Sequence, residues 1–296
     1  MTAMNALIRR NTRLFFKDKG MFFCAMITPA ILLLLYSTFL FRVFRSSFEQ
    51  NLPDFIQLPE RLINGLVGGQ MISSLLAVSC VTVAFCSNLL MVQDKVNGSI
   101  KDLRMTPVRA SSLSIGYYAA TLISTLIVCL TATALCLLYL ATLGWYLSSA
   151  DVLLLILDVV LLVLFGVALS SIINFFLSTQ GQMSAVGTII SSAYGFICGA
   201  YMPLSNFSEG LRKVLSFLPG TYGTSLVRNH AMRGALAELS DYGIPGEVVE
   251  AIRDSLDCNL YFFGRQVALP TMYVILAGSV AVLVGVYILQ NRLKNK

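Results

Sequence analysis

The chain has 296 residues, of which 56% are hydrophobic and only 12% charged, with a formal net charge of +6; its mean hydropathy is +0.77. A soluble domain carries roughly 25% charged residues, and one core of this size could not hide so much apolar surface, so composition excludes a soluble globular protein. The positive balance is accounted for by the placement of Lys and Arg in loops and by anionic lipid, and gives no reason to invoke nucleic acid.

Residues 1–20 form an amphipathic leader. Within 4–19, Leu7, Ile8, Leu14 and Phe15 fall on one helical face and Arg9, Arg10, Arg13 and Lys17 on another, the pattern of a helix lying in the headgroup plane. A membrane span needs roughly 20 mostly apolar residues. Apolar runs of that order, uncharged but for Asp158, occur at 21–41, 66–92, 113–146, 152–177, 183–202 and 267–289. None alternates in polarity as barrel strands do. The expected fold class is therefore an all-α polytopic membrane protein with six transmembrane helices in one domain over 1–296. The first run is too long for the apolar region of a cleaved signal peptide, and Thr28-Pro29 should bend it. The polar segment 42–65, with Pro53 and Pro59, should hold a short surface helix. Gly65, Gly68 and Gly69 open the second span and suit a close helix–helix contact.

Segment 93–109, QDKVNGSIKDLRMTPVR, is a short charged stretch between two of the longest uncharged runs in the chain. It is the natural place for a soluble partner to push on a membrane protein. The third run is longer than a straight crossing needs, so it should tilt or project. Tyr117 and Tyr118 mark one interface and Trp145 and Tyr146 the other. Asp158, in the fourth run, is the one ionisable residue inside the apolar runs. It should lie about two turns below the surface, and either serves function or faces a water-filled vestibule or a neighbouring Ser or Thr. In the fifth run, Gly195 and Gly199 have the Gly-x-x-x-Gly spacing of close helix packing.

Pro203 should end that run. Phe207, Leu211, Val214, Leu215 and Leu218 then recur at helical spacing, giving an amphipathic helix of about three turns that Pro219-Gly220 should stop. A second helical stretch over 224–239 follows. Neither can be a full span, so the outer segment 203–266 reads as a re-entrant or interfacial hairpin, then a polar helix over 247–256 and an aromatic return at 260–263.

Orientation follows from basic residues in short loops. Arg9, Arg10, Arg13, Lys17 and Lys19, then Lys95, Lys101, Arg104 and Arg109, then Arg292, Lys294 and Lys296 place both termini and segment 93–109 in the cytoplasm. Cys24, Cys80, Cys86, Cys129, Cys136 and Cys198 read as packing residues, and Cys258 has no obvious partner. No cysteine pair has metal-ligand spacing, and one histidine builds no metal site alone. The chain carries no Gly-x-x-x-x-Gly-Lys-Ser/Thr phosphate loop and no catalytic set, so it is expected to be no enzyme and to hold no cofactor.

The order of these parts resembles the membrane subunit of a type-2 ABC exporter. Asp94, Gly98, Leu103, Thr106 and Pro107 match that family's pattern of acidic residue, glycine, leucine and Thr-Pro. Met202-Pro203 through Leu218-Pro219-Gly220-Thr221-Tyr222 resembles its proline-bounded outer stretch. Gln93 stands where the family often has a second acid. The resemblance implies a permease of the bacterial plasma membrane that pairs with a second permease subunit, the same or homologous. It implies two copies of a separate ATPase that bind ATP and Mg. Residues 94–105 would form the coupling helix, with Asp94, Lys95, Gly98, Leu103, Arg104, Thr106 and Pro107 as coupling residues and Pro203, Pro219, Gly220 and Tyr222 in the outer hairpin. The uncharged spans suit an amphipathic drug, antibiotic peptide or lipid-like cargo. A polysaccharide- or glycolipid-exporting permease is the alternative; a membrane-embedded lipid-modifying enzyme built on Asp158, His230 and the hairpin is the rival from another class.

Overall fold

The computed structural model describes residues 3–51, 58–106, 108 and 110–294. Almost everything described is helical, and one helix organises the rest. Helix α4, Glu60–Val96, is 37 residues long, about 55 Å at ~1.5 Å per residue. It packs against α2 (Lys19–Leu35), α6 (Ala110–Leu143), α7 (Ser149–Phe176), α8 (Gln180–Ile197) and α10 (Pro219–Asp241). Its residues are buried on every face from Gly65 to Phe85, which explains a sequence apolar all round rather than striped.

Among the described residues, five helical stretches are long and apolar enough to cross a membrane: Lys19–Ser46, Glu60–Val96, Ser111–Leu143, Ser149–Phe176 and Leu269–Leu293. The run expected as the fifth span is α8, which is shorter and more polar than these. The last crossing helix is α12, Leu269–Lys294. Glycines set the spacing around α4. A methyl on Gly68 would come within 2.9 Å of Leu140 and Leu143, and one on Gly69 within 2.8 Å of the Ala231 carbonyl. The predicted glycine contact is thus made, with α6 on one side and α10 on the other.

Several expectations are corrected. The first run continues as helix through Pro29, which lies inside α2, and does not end at Phe41: a π turn at Tyr36–Leu40 leads on into α3, Phe41–Asn51. There Ser37 and Thr38 hydroxyls donate to the Leu34 carbonyl at 3.1 and 2.6 Å, drawing it from the helical ladder. Leader helix α1, Ala3–Lys17, buries Leu7, Asn11 and Phe15 against α6, leaving Leu14 exposed; tertiary packing, not apolarity alone, chose that face. Gly195 and Gly199 do not join two helices. Gly195 accommodates the ring of Tyr201 from its own turn, and Gly199, at φ +73°, ends α8.

Pro219 starts a helix instead of stopping one. It occupies the first turn of α10, where its missing N–H costs nothing. The amphipathic helix before it, α9, is only Glu209–Leu215. A further helix α11, Gly246–Ser255, and a small hairpin of β1 (Tyr261–Phe262) and β2 (Arg265–Gln266) lead into α12.

Candidate functional site

Two charged regions lie at opposite ends of the bundle. The first is the junction of α4 with the short helix α5, Ser99–Met105. Helix α4 ends at Val96, and Gly98 turns the chain at φ +80°, a left-handed conformation that disfavours a Cβ. A methyl on Gly98 would meet nothing within 4 Å, so backbone conformation, not crowding, calls for glycine there. The Thr106 hydroxyl donates to the Leu103 carbonyl at 2.6 Å, closing the last turn of α5. Pro107 lies outside the described residues.

The expected coupling residues divide into two groups. Lys101, Asp102, Arg104 and Met105 are exposed, Met105 at 85%, while Ile100 and Leu103 are half-buried and rest on the core. Asp94 and Lys95 belong to α4, so the short helix begins at Ser99 and not at Asp94 as expected. Asp94 is buried and accepts from Arg10 Nη1 of α1 at 2.9 Å and from Tyr117 Oη of α6 at 2.5 Å. Lys95 Nζ donates to the carbonyls of Asn174, Phe175 and Leu177 at 2.9, 2.9 and 3.1 Å. These carbonyls lie at the negative end of the α7 dipole, where most have no partner within the helix. Adjacent residues thus fasten the foot of α4 to α1 and α6 on one side and α7 on the other. The N-terminal part of α6 in turn meets α12, where Ser114 Oγ donates to Asn291 Oδ1 at 2.7 Å.

The second region is the polar interior around α10. Every residue from Gly220 to Met232 of this helix is buried, including six polar ones that no lipid-facing helix would carry. Arg228 is 2% exposed; it donates to the carbonyls of Leu256 and Gly199 at 2.8 and 3.0 Å and to Ser74 Oγ at 3.2 Å. Asp257 Oδ2 lies 3.5 Å from it and accepts from the Leu204 backbone N–H at 2.6 Å. Burial pushes the Asp257 carboxyl above the usual carboxylate range, opposed by the Arg228 charge. Burial likewise pushes the Cys258 thiol up to about 11, and its backbone carbonyl accepts from Ser225 and Asn229.

Asp158 is fully buried, so it faces neither a vestibule nor a neighbouring hydroxyl of Ser or Thr. Its Oδ2 meets His230 Nδ1 at 2.5 Å, and its Oδ1 accepts from Tyr273 Oη at 2.5 Å. The pair Asp158–His230 is brought together, with Tyr273 of α12 added, which nothing in the spacing announced. The residues of the expected outer hairpin are placed structurally. Pro203 leads a single 3₁₀ turn, Leu204–Asn206. Tyr222 Oη donates to the Ser216 carbonyl at 2.6 Å, and Gly220 gives room to Tyr194. No metal-ligating cluster occurs among the described residues.

A bundle of apolar crossing helices around a buried α4, with a charged helix hung from its end, defines a polytopic membrane protein. The profile of the ABC-2 type transporter family matches residues 2–231, and the chain belongs to that family of transport membrane subunits. Comparison with curated proteins and with solved structures finds no match. Helix α11, the hairpin and α12 lie beyond the matched stretch.

Proposed function

We propose that this permease is the membrane half of an ATP-driven exporter, worked by a separate ATPase that binds ATP and Mg and docks on α5. The observation that carries the reading is the junction at Gly98. Exposed charge and Met105 sit on a two-turn helix, joined by one left-handed residue to the most buried helix of the protein. A push on α5 is delivered to α4, and through Asp94 and Lys95 to α1, α6 and α7 together. Ile100 and Leu103 resting on the core keep α5 from hinging freely, so displacement is transmitted rather than lost.

The basic residues of α1, α5 and the end of α12 support a cytoplasmic position for this face, in what we take to be a bacterial plasma membrane. Helix α8 serves as the sixth crossing. Its exposed Gln182, Ser184, Thr188, Ser191 and Ser192 suit neither lipid nor core. They would line a passage shared with a second permease subunit, a surface fit for amphipathic cargo such as a drug, antibiotic peptide or lipid. The test is co-purification with an ATPase subunit and hydrolysis in lipid. Joint elution with turnover that needs both chains is expected, and Gly98→Val should abolish the stimulation while the complex still forms. Turnover indifferent to this chain would sink the reading.

A further inference from the structure

We propose that the cavity between α9, α10 and the β-hairpin binds the headgroup of an anionic phospholipid from the adjoining leaflet. This goes beyond the transport reading and holds whichever way cargo moves. The cavity measures about 630 Å³. Its depth in the membrane is set by the chain: the hairpin ends at Gln266 and the crossing helix α12 begins at Leu269, so the cavity opens at the bilayer boundary.

Three observations give it a lipid's chemistry. First, each charged side chain lining it has a hydrogen-bond or ion-pair partner except one. Lys213 pairs with Glu209 at 2.7 Å, Asp257 with Arg228 at 3.5 Å, and Asp254 accepts from Asn259 and Tyr261 at 2.8 and 2.9 Å. Arg212 lines the cavity with no ion pair or hydrogen bond of its side chain among the described residues. It lies near enough to help Lys213 hold the Glu209 carboxylate below its usual range. An exposed, unpaired guanidinium at this depth is a fork for a phosphodiester.

Second, aromatic side chains stand at the mouth. Phe217 packs edge-on against Phe262 at 5.2 Å and Phe263 at 5.9 Å. Phe217 and Phe263 are nonetheless 61% and 60% exposed. Phe263 takes φ +48° ahead of Gly264 at φ +79°, a turn that holds the ring outward. Third, α9 and the turn after it continue the same apolar surface through exposed Leu211, Val214 and, in the turn, Leu218, beside Arg212 and Lys213. Apolar side chains flanked by basic ones at a membrane boundary suit acyl chains below and an anionic headgroup above.

The experiment uses the single tryptophan of the chain. In a full-length Trp145→Phe, Phe263→Trp variant reconstituted in bilayers, quenching by brominated phosphatidylglycerol should exceed that by brominated phosphatidylcholine at equal mole fraction. Adding Arg212→Gln should lower the preference about fivefold, the effect of one basic side chain at an anionic surface. The change Arg42→Gln, an exposed cation on α3, should leave it unaltered. Excess inorganic phosphate should not compete. Equal quenching by the two lipids, no quenching, or a preference untouched by Arg212→Gln would overturn the proposal. Loss of preference to free phosphate would assign the cavity to a soluble anion and overturn it equally. Because Phe263 is exposed and Arg212 unpaired, neither change threatens folding, which native-state elution volume checks.

Discussion

The two charged regions are built on opposite plans. Around α10 the charges are inside: Arg228, Asp257, Asp158 and His230 are buried and spent on one another or on backbone carbonyls. At α5 the charges are outside, and the only ones turned inward are Asp94 and Lys95, which fasten α4 to its neighbours. A buried ion must be paired or the fold suffers, so the α10 network ties α4, α7, α10 and α12 together at that end. Exposed charge adds little to stability, so the charges on α5 contribute little to holding the fold. The difference separates charge that holds the bundle together from charge that does not.

The sharpest way to break this comparison is to remove Arg228. Arg228→Met should leave Asp257 buried without its cation and free two carbonyls, costing about 3–5 kcal/mol. The expected result is loss of monodisperse protein or a large drop in thermal midpoint, partly restored by adding Asp257→Asn. A variant as stable as the parent would mean that apolar packing alone closes that end.

Next in size is Asp158→Asn. The amide keeps the shape but weakens two charge-assisted bonds that tie α7 to α10 and α12. Side-chain bonds within membranes are worth roughly 1–2 kcal/mol, so the midpoint should fall by that equivalent, with Tyr273→Phe falling less. The pH profile of turnover should keep its form. A flattened profile would turn Asp158 from a tie into a proton-handling group and blur the distinction drawn above.

Much of the fold could be read from the chain because lipid imposes length and polarity on each span. The runs for α4, α6, α7 and α12 stand out for that reason. Helix α10 was legible as a helical stretch over 224–239 but not as a buried one, since Thr221, Ser225, Arg228, Asn229 and His230 look like a surface helix when burial partners are unseen; those partners include the carbonyls of Gly199, Leu256 and Cys258 and the Asp158 carboxyl, which no pattern displays. Pro219 was misread for the same local reason: a proline marks either a stop or a first turn, and only the chain that follows decides. At α5 the glycine and the Thr-Pro were legible through the family pattern they match. The inward roles of Asp94 and Lys95 were not, because their partners Arg10, Tyr117 and the end of α7 are distant in sequence.

Gly98→Val should have a middling effect on stability and a large one on coupling. A β-branched residue at φ +80° costs about 1–2 kcal/mol locally, and with open space around it the turn relaxes rather than the bundle. ATPase stimulation should fall steeply, whereas Gly98→Asn, which tolerates the left-handed region, should retain most of it.

The smallest structural effect is expected where the functional one is most telling. Lys101 and Arg104 are exposed, and no ion pair involving either is found among the described residues, so Lys101→Ala with Arg104→Ala should change stability by no more than about 0.5 kcal/mol for each. If α5 is held only by Ile100, Leu103 and the Gly98 turn, those cations contribute nothing to the fold, and any use they have is at a surface outside it. Affinity for the ATPase should then weaken and become less sensitive to salt, because two screened contacts are gone. Unchanged affinity and salt dependence would leave Met105 and the apolar edge of α5 as the seat, and the charges on this helix would serve only to keep it on its side of the membrane.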